Sequence, residues 1–397
     1  MKKSFLLLIL VLIAAQYLIA QRPKCLEEPI LSLGKKDYIG AKRYIDECFK
    51  NNESSADAHL VRANVLVYYY EYEFDRLKRD PNYKLKEPDA IILANESFYR
   101  ALELKSDIKI DGMIDTKEGQ LITADIIRVL AADAMSNKDY RKAIKLLNLV
   151  IRSYRVDPKG NAIFLAYAFL DMSYCYKILE DNANYKKNLL DAAKLNMAVP
   201  DIYLGLYDIY KEEQDTVKCG EILIQARKVV PDSLSIDIKG YELDYYAMLG
   251  DTAKLKAASL KMYEQYKDNI EVIKIVTMYL VNNREYSLAE NIINIGLDMA
   301  PNDFDLLQQM TYRYFYEAVD YDNMCEERKK NKKWLEAQTY LKKANEILET
   351  AVIWAEKAYK IKQDDKKHNI MYLQILVRLD KSIPDGLKEK VDSYRKQ

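Results

Sequence analysis

The chain has 397 residues, with 61 basic and 61 acidic side chains and only two histidines, His59 and His368. Taken over the whole chain, that balance supplies no long-range field for nucleic acid or an anionic membrane. Two histidines far apart in sequence, neither near a cysteine at ligand spacing, argue against a metal site. Glycine and proline are scarce, at 11 and 9 residues. Strand-like alternation is hard to find, and apolar residues recur at helical spacing from about residue 26 onward.

Residues 1–20 read as a secretory signal peptide. Lys2 and Lys3 make a basic start, Phe5 to Ile13 is an apolar run that extends weakly to Ala20, and polar Gln21-Arg22-Pro23-Lys24 follows. Cleavage is expected near Ala20, in a periplasmic or secreted protein, with an uncleaved anchor as the alternative. Cys25 follows Arg22-Pro23-Lys24 instead of small apolar residues, which argues against a lipid acceptor. No second run is long enough to span a bilayer. Of the five cysteines, Cys25 and Cys48 flank the first predicted helices and are the pair to test for a disulfide. Cys175 and Cys219 fall where small apolar residues are wanted on helix faces.

Residues 21–330 form the next region. Small, large and small side chains recur there at a spacing of four then three, which keeps them on one helix face. The sets are Ala94, Phe98, Ala101; Ala143, Leu147, Val150; Cys219, Leu223, Ala226; and Ala289, Ile293, Gly296. Pro231 and Pro301 follow the last two sets. Helices with large anchors precede three of them, at Ile127 to Ala134, Tyr203 to Tyr210 and Ile273 to Leu280. The turns Lys36-Asp37-Tyr38, Asn137-Lys138-Asp139-Tyr140 and Asn283-Arg284-Glu285-Tyr286 share one chemistry. The unit around 167–195 fits poorly, with Asn188 and Ala192 at anchor places. Residues 75–92 and 105–119 interrupt the array. From 331 to 397 the rule changes: Ala337, Ala344, Ala351 and Ala358 recur every seventh residue. This predicts one helix of about 45 Å, followed by capping helices over 369–379 and 387–394. The alanine seam suits an end cap, or alternatively a homodimer through the 337–358 helix.

These helix pairs resemble the tetratricopeptide repeat (TPR) family, in an exported bacterial form, over roughly residues 30–362. Tyr207 departs from the family pattern, which places a small residue there. The resemblance implies an all-α, right-handed superhelical solenoid of antiparallel helix pairs, here with a long C-terminal helix. It also implies a partner held in a concave groove lined by the first helix of each pair. Carried over position by position, the groove takes Asp201, Asp208 and Lys211 from one unit, Lys274 from another, and Asp305, Gln308, Tyr312, Phe315 and Tyr316 from the unit after Pro301. Tyr312, Phe315 and Tyr316 make the most apolar set and the first choice for a partner contact. The family's carboxylate clamp is not present.

Tyrosine is the unusual element, with 33 residues against eight Phe and two Trp. It offers rigid contact area with a hydroxyl, which suits recognition. Clusters fall at Tyr68, Tyr69, Tyr70 and Tyr72, at Tyr241, Tyr245 and Tyr246, and at Tyr312, Tyr314 and Tyr316. No phosphate loop or nucleophile elbow exists, and no catalytic residue, metal or cofactor is assigned. His59 is expected in a core. The reading is a non-catalytic exported scaffold for a protein or peptide, in cell-envelope assembly or secretion. The alternative is a glycan- or small-ligand-binding accessory of outer-membrane nutrient uptake, since tyrosine also stacks on sugars.

Overall fold

The computed structural model describes residues 23–51, 53–105 and 108–394; the expected signal peptide lies outside them. Among the described residues every regular element is a helix. Contacts divide the chain into two compact units, Met1–Leu206 and Tyr207–Gln397. The first holds α1 (Glu27–Gly34), α2 (Tyr38–Lys50), α3 (Ala56–Arg79), α4 (Ala90–Leu104), α5 (Thr116–Ser136), α6 (Tyr140–Tyr154), α7 (Ala162–Ile178) and α8 (Asn182–Ala193). The division falls inside α9 (Pro200–Glu212). The second unit continues with α10 (Thr216–Val229), α11 (Ile236–Met248), α12 (Thr252–Gln265), α13 (Ile270–Asn282), α14 (Tyr286–Met299), α15 (Phe304–Lys330), α16 (Trp334–Ile361), α17 (Lys366–Arg378) and α18 (Leu387–Tyr394). Within each unit a helix packs on its chain neighbours, and several also meet the helix after next, as α3 meets α5 and α11 meets α13. Short connections make those neighbours antiparallel.

One turn recurs and explains the pairing. Lys36, Lys138, Glu180, Gln214, Gly250, Arg284 and Lys332 have φ near +60°, which reverses the chain in a single residue. An acidic residue follows all but the last. Asp37, Asp139, Asp181, Asp215 and Asp251 each cap the next helix, accepting from the backbone N–H three residues on. The reversals at 180, 214, 250 and 284 are 34, 36 and 34 residues apart, the interval expected of helix-pair repeats.

The four small-large-small sets are all buried. Burial of the large member stabilises each pair by roughly 1.5–3 kcal/mol per side chain, and the small members let the partner helix approach. Residues 80–89 replace the turn between α3 and α4. They are tied back to buried Glu73, which accepts from the Tyr83 hydroxyl at 2.7 Å and from the Lys86 N–H at 3.1 Å. Cys25 and Cys48 are joined by a disulfide, with Cα atoms 5.5 Å apart.

At the C-terminal end α15 and α16 form a hairpin of 27- and 28-residue helices. The alanine seam is filled within the chain. Ala344 and Ala351 pack with Ala318 of α15 and with Met371 and Ile375 of α17, while Ala355 meets Tyr372 and Leu376 of α17 and Leu387 and Val391 of α18. The seam that the sequence offers to a second copy is therefore occupied by the chain's own helices. His368 at the start of α17 is fully buried, with Nε2 2.9 Å from the Ala355 carbonyl and Nδ1 without a hydrogen-bond partner.

Burial holds the His368 imidazole below the usual histidine range, against the pull of the Ala355 carbonyl and Asp365. The unfolded chain then binds a proton near pH 6.5 that the folded chain resists. Stability from this site is complete above about pH 6.5 and falls as the pH drops below it, by at most ~1.4 kcal/mol per pH unit. Urea unfolding at neutral and mildly acidic pH should show a smaller acid loss for His368→Gln than for the wild type. A residual slope should remain from His59, which burial shifts in the same direction.

Candidate functional site

A groove of about 310 Å³ runs over the first helices of successive pairs in the second unit. Its walls come from the last turns of α9 (Asp208, Lys211), from α11 (Asp237, Gly240, Tyr241, Asp244) and from α13 (Ile275, Met278, Tyr279). On α11 the spacing of Asp237, Tyr241 and Asp244 places a carboxylate, a phenol and a carboxylate on one face. Asp244 is the hub. It accepts from the Tyr207 hydroxyl at 2.9 Å, from Lys211 Nζ at 2.7 Å and from the Tyr279 hydroxyl at 3.4 Å. Tyr241 donates to Asp208 at 3.2 Å and meets the Tyr207 ring edge to face at 5.0 Å.

The electrostatics follow from that wiring. Burial, then Asp208, pushes the Tyr241 phenol up to about 12. Burial, then the bond to Asp244, lifts Tyr207 well above the phenol range. Both stay protonated donors at any physiological pH. Three carboxylates, Asp208, Asp237 and Asp244, face one ammonium, Lys211, so the groove is acidic with aromatic walls.

Of the residues expected at the groove, Asp208 and Lys211 line it. Asp201 is exposed on the first turn of α9. Lys274 turns to Glu271, Asp303 and Asp305, at 2.9, 3.1 and 3.6 Å. The Gln308 amide donates to Asp365 at 3.2 Å. Tyr312, Phe315 and Tyr316 form a half-buried aromatic group, with Tyr312 and Tyr316 stacked at 5.7 Å. Tyr312 and Phe315 pack on the core shared by α15, α16 and α17. The chain's own long hairpin and α17 thus stand on the surface that the sequence assigned to a partner. Asp244 and Tyr279 are groove residues that the repeat pattern does not mark. The anchors of the α11–α12 pair are degenerate, so no repeat register could be carried onto α11, although its 237-241-244 spacing is visible in the sequence.

A second cleft, of about 580 Å³, lies in the first unit between α4, α6, α7 and α8. α8 lines it with Asn184 and Asn188, and Asn188 stands at an anchor place where a repeat offers an apolar side chain. Both of its arginines are already engaged by the chain. Arg152 donates to Asn95 Oδ1 at 3.1 Å and lies 4.1 Å over the Tyr99 ring, and Arg155 lies 5.7 Å over Phe169. Among the described residues no group of three or more His, Cys, Asp or Glu is placed to hold a metal ion, and no helix is long and apolar enough to cross a membrane.

Buried small-large-small anchors, the recurring capped turn and a groove over first helices are the features of one repeat type. The fold is TPR-like. No protein-family model matches the sequence, and no curated protein matches it. Solved structures similar to it include YrrB, described as a TPR protein with an unusual peptide-binding site (13% identity, 54% of this chain and 97% of that one, TM-score 0.36). The C-terminal part of a TPR repeat-containing protein from Cytophaga hutchinsonii is another (13%, 71% and 98%, TM-score 0.35). A third is a tetratricopeptide repeat protein from Parabacteroides merdae (12%, 73% and 97%, TM-score 0.31). At such TM-scores the TPR-like reading rests on the anchor burial and the turns described above.

Proposed function

We propose that this chain is a non-catalytic exported scaffold that holds a protein or peptide partner in the groove around Tyr241 and Asp244. The observation that carries the reading is the excess of carboxylates between tyrosine walls. Such a lining favours an extended segment presenting lysine or arginine, through charge-assisted hydrogen bonds and cation–π contacts. The expected signal segment supports a place in the periplasm or outside the cell, and the role proposed there is envelope assembly or secretion.

The test is an array of short basic, neutral and acidic peptides probed with the purified chain. Binders should be enriched in lysine and arginine, and Tyr241→Ala with Asp208→Asn should weaken them by about tenfold or more. Binders without basic residues, or binding that the double variant leaves unchanged, would count against the groove. Thermal stabilisation by neutral oligosaccharides without peptide binding would favour the glycan reading instead.

A further inference from the structure

The joined end of α15 and α16 has no counterpart elsewhere among the described residues. Both helices are about twice as long as the 13- and 14-residue helices α10 to α14 that precede them. Neighbouring helices reach the hairpin at Asp320, which accepts from the Tyr286 hydroxyl at 2.6 Å. They reach it again at Asp322 and Asn345, both bonded to Arg378 of α17. From there α15 runs on eight residues to Lys330, and α16 lies eleven residues back to Trp334, roughly 12–16 Å at 1.5 Å per residue. The two arms hold each other through Tyr321 against Tyr340, with ring centroids 6.2 Å apart, and Arg328 against Glu336 at 3.2 Å. The turn is fixed by Lys332 at φ 59°.

At this tip the surface is apolar and basic together. Trp334 is 61% exposed and Leu335 80%, the highest value of any large apolar side chain among the described residues. From Glu326 to Glu346 seven basic residues stand against four acids; ion pairs engage Arg328, Lys329, Lys333, Lys342 and Lys343, and Lys330 and Lys332 are exposed at the turn itself. Elsewhere the aromatic residue that opens the helix after the recurring turn is covered by the residue 34 positions on. Tyr38 meets Tyr72 at 5.9 Å, Tyr140 meets Tyr174 at 6.3 Å, and Tyr286 bonds to Asp320. For Trp334 that residue is His368, which packs against Ala355 and Phe304 instead. Lengthening the hairpin has left its aromatic residue without a cover.

We propose that this tip is a membrane-binding site that seats Trp334 and Leu335 in the interface of an anionic phospholipid bilayer. Indole is amphipathic and favours the headgroup level. Lysine stems lie along an apolar surface while their ammonium groups reach phosphate. A docked partner helix would need an apolar row along α16. The rows from the tip run Trp334, Gln338, Leu341, Asn345 and Leu335, Thr339, Lys342, which polar residues interrupt. The apolar surface is concentrated at the end of the hairpin, which suits tip-first insertion.

The chain has two tryptophans, so full-length protein carrying Trp354→Phe reports on Trp334 alone. The probes are vesicles of phosphatidylcholine and vesicles of phosphatidylcholine mixed equally with phosphatidylglycerol. The proposal expects a blue shift of Trp334 emission and co-sedimentation with the anionic vesicles, lost on adding salt. Trp334→Ser with Leu335→Ser should lower partitioning by about tenfold or more. Lys330→Gln and Lys332→Gln should each lower it roughly fivefold. These side chains are exposed, and unchanged far-UV circular dichroism checks that the variants fold. Unshifted emission with anionic vesicles would overturn the proposal. So would equal binding to pure phosphatidylcholine, or sedimentation that the double serine variant does not change.

Discussion

Asp244→Leu should cost about 2–3 kcal/mol of stability and, under the proposed function, abolish peptide binding in the groove, because that proposal gives both roles to one carboxylate. The Tyr207 ring is fully buried, and its hydroxyl donates to Asp244. A leucine fills the space but offers that hydroxyl no acceptor. An orphaned buried donor costs about 1–3 kcal/mol, toward the upper end when the lost partner is charged. The Lys211 ion pair adds little, since that lysine is half exposed. Asp244→Asn separates the two roles. Its side-chain oxygen still accepts from Tyr207, so stability should stay within about 1 kcal/mol of wild type, while affinity for a basic peptide falls with the lost charge. Urea unfolding and peptide titration on both variants make the check. An Asp244→Leu protein as stable as wild type would show that water reaches Tyr207 and that Asp244 is not a structural hub.

Gly119→Ala and Gly240→Ala should move stability in opposite directions, although each replaces a helical glycine by the best helix former. In an open helix position that exchange stabilises by roughly 0.5–1 kcal/mol. Gly240 fits the case: a Cβ there would find Ile275 Cγ2 at 4.0 Å and nothing nearer. Gly119 does not. Its Cβ would stand 2.5 Å from Cε2 of Phe98 and closer still to Cζ. Phe98 is the fully buried large anchor between Ala94 and Ala101 and has nowhere to move. Overpacking of that kind costs about 1–3 kcal/mol, more than the propensity gain, so Gly119→Ala should destabilise. The two substitutions fall in different units, so each is read against its own wild-type transition by far-UV circular dichroism. A stabilised Gly119→Ala would mean that α4 and α5 can slide apart at no cost.

These cases also show where sequence reading stops. Gly119 looks like part of a polar connection, yet it lies in the first turn of α5 as the socket for Phe98. Nothing local distinguishes a loop glycine from one whose missing Cβ admits a ring 21 residues away. The turn chemistry, by contrast, is local. Asp181 and Asp251 cap their helices just as Asp139 does, so the pairs α7–α8 and α11–α12, whose anchors are weak, are recoverable from reversal and cap alone. Tyr69 and Tyr70 are buried while Tyr68 stacks on Tyr38, so most of that tyrosine cluster serves packing.

Helix class, pair boundaries, repeat interval and the anchor faces are set by short-range rules, namely a spacing of four and three, a left-handed turn residue and an aspartate cap. The sequence alone therefore determined them. Which groove stays open was decided in three dimensions. Tyr312, Phe315 and Gln308 satisfy the repeat pattern as well as Asp208 and Lys211 do. Only the return of α16 and α17 covers the first three, and only the stacking of α11 between α9 and α13 brings Asp244 to Tyr207, Lys211 and Tyr279. Those contacts join residues 33 to 57 positions apart, and no local periodicity encodes which exposed face a distant helix will occupy.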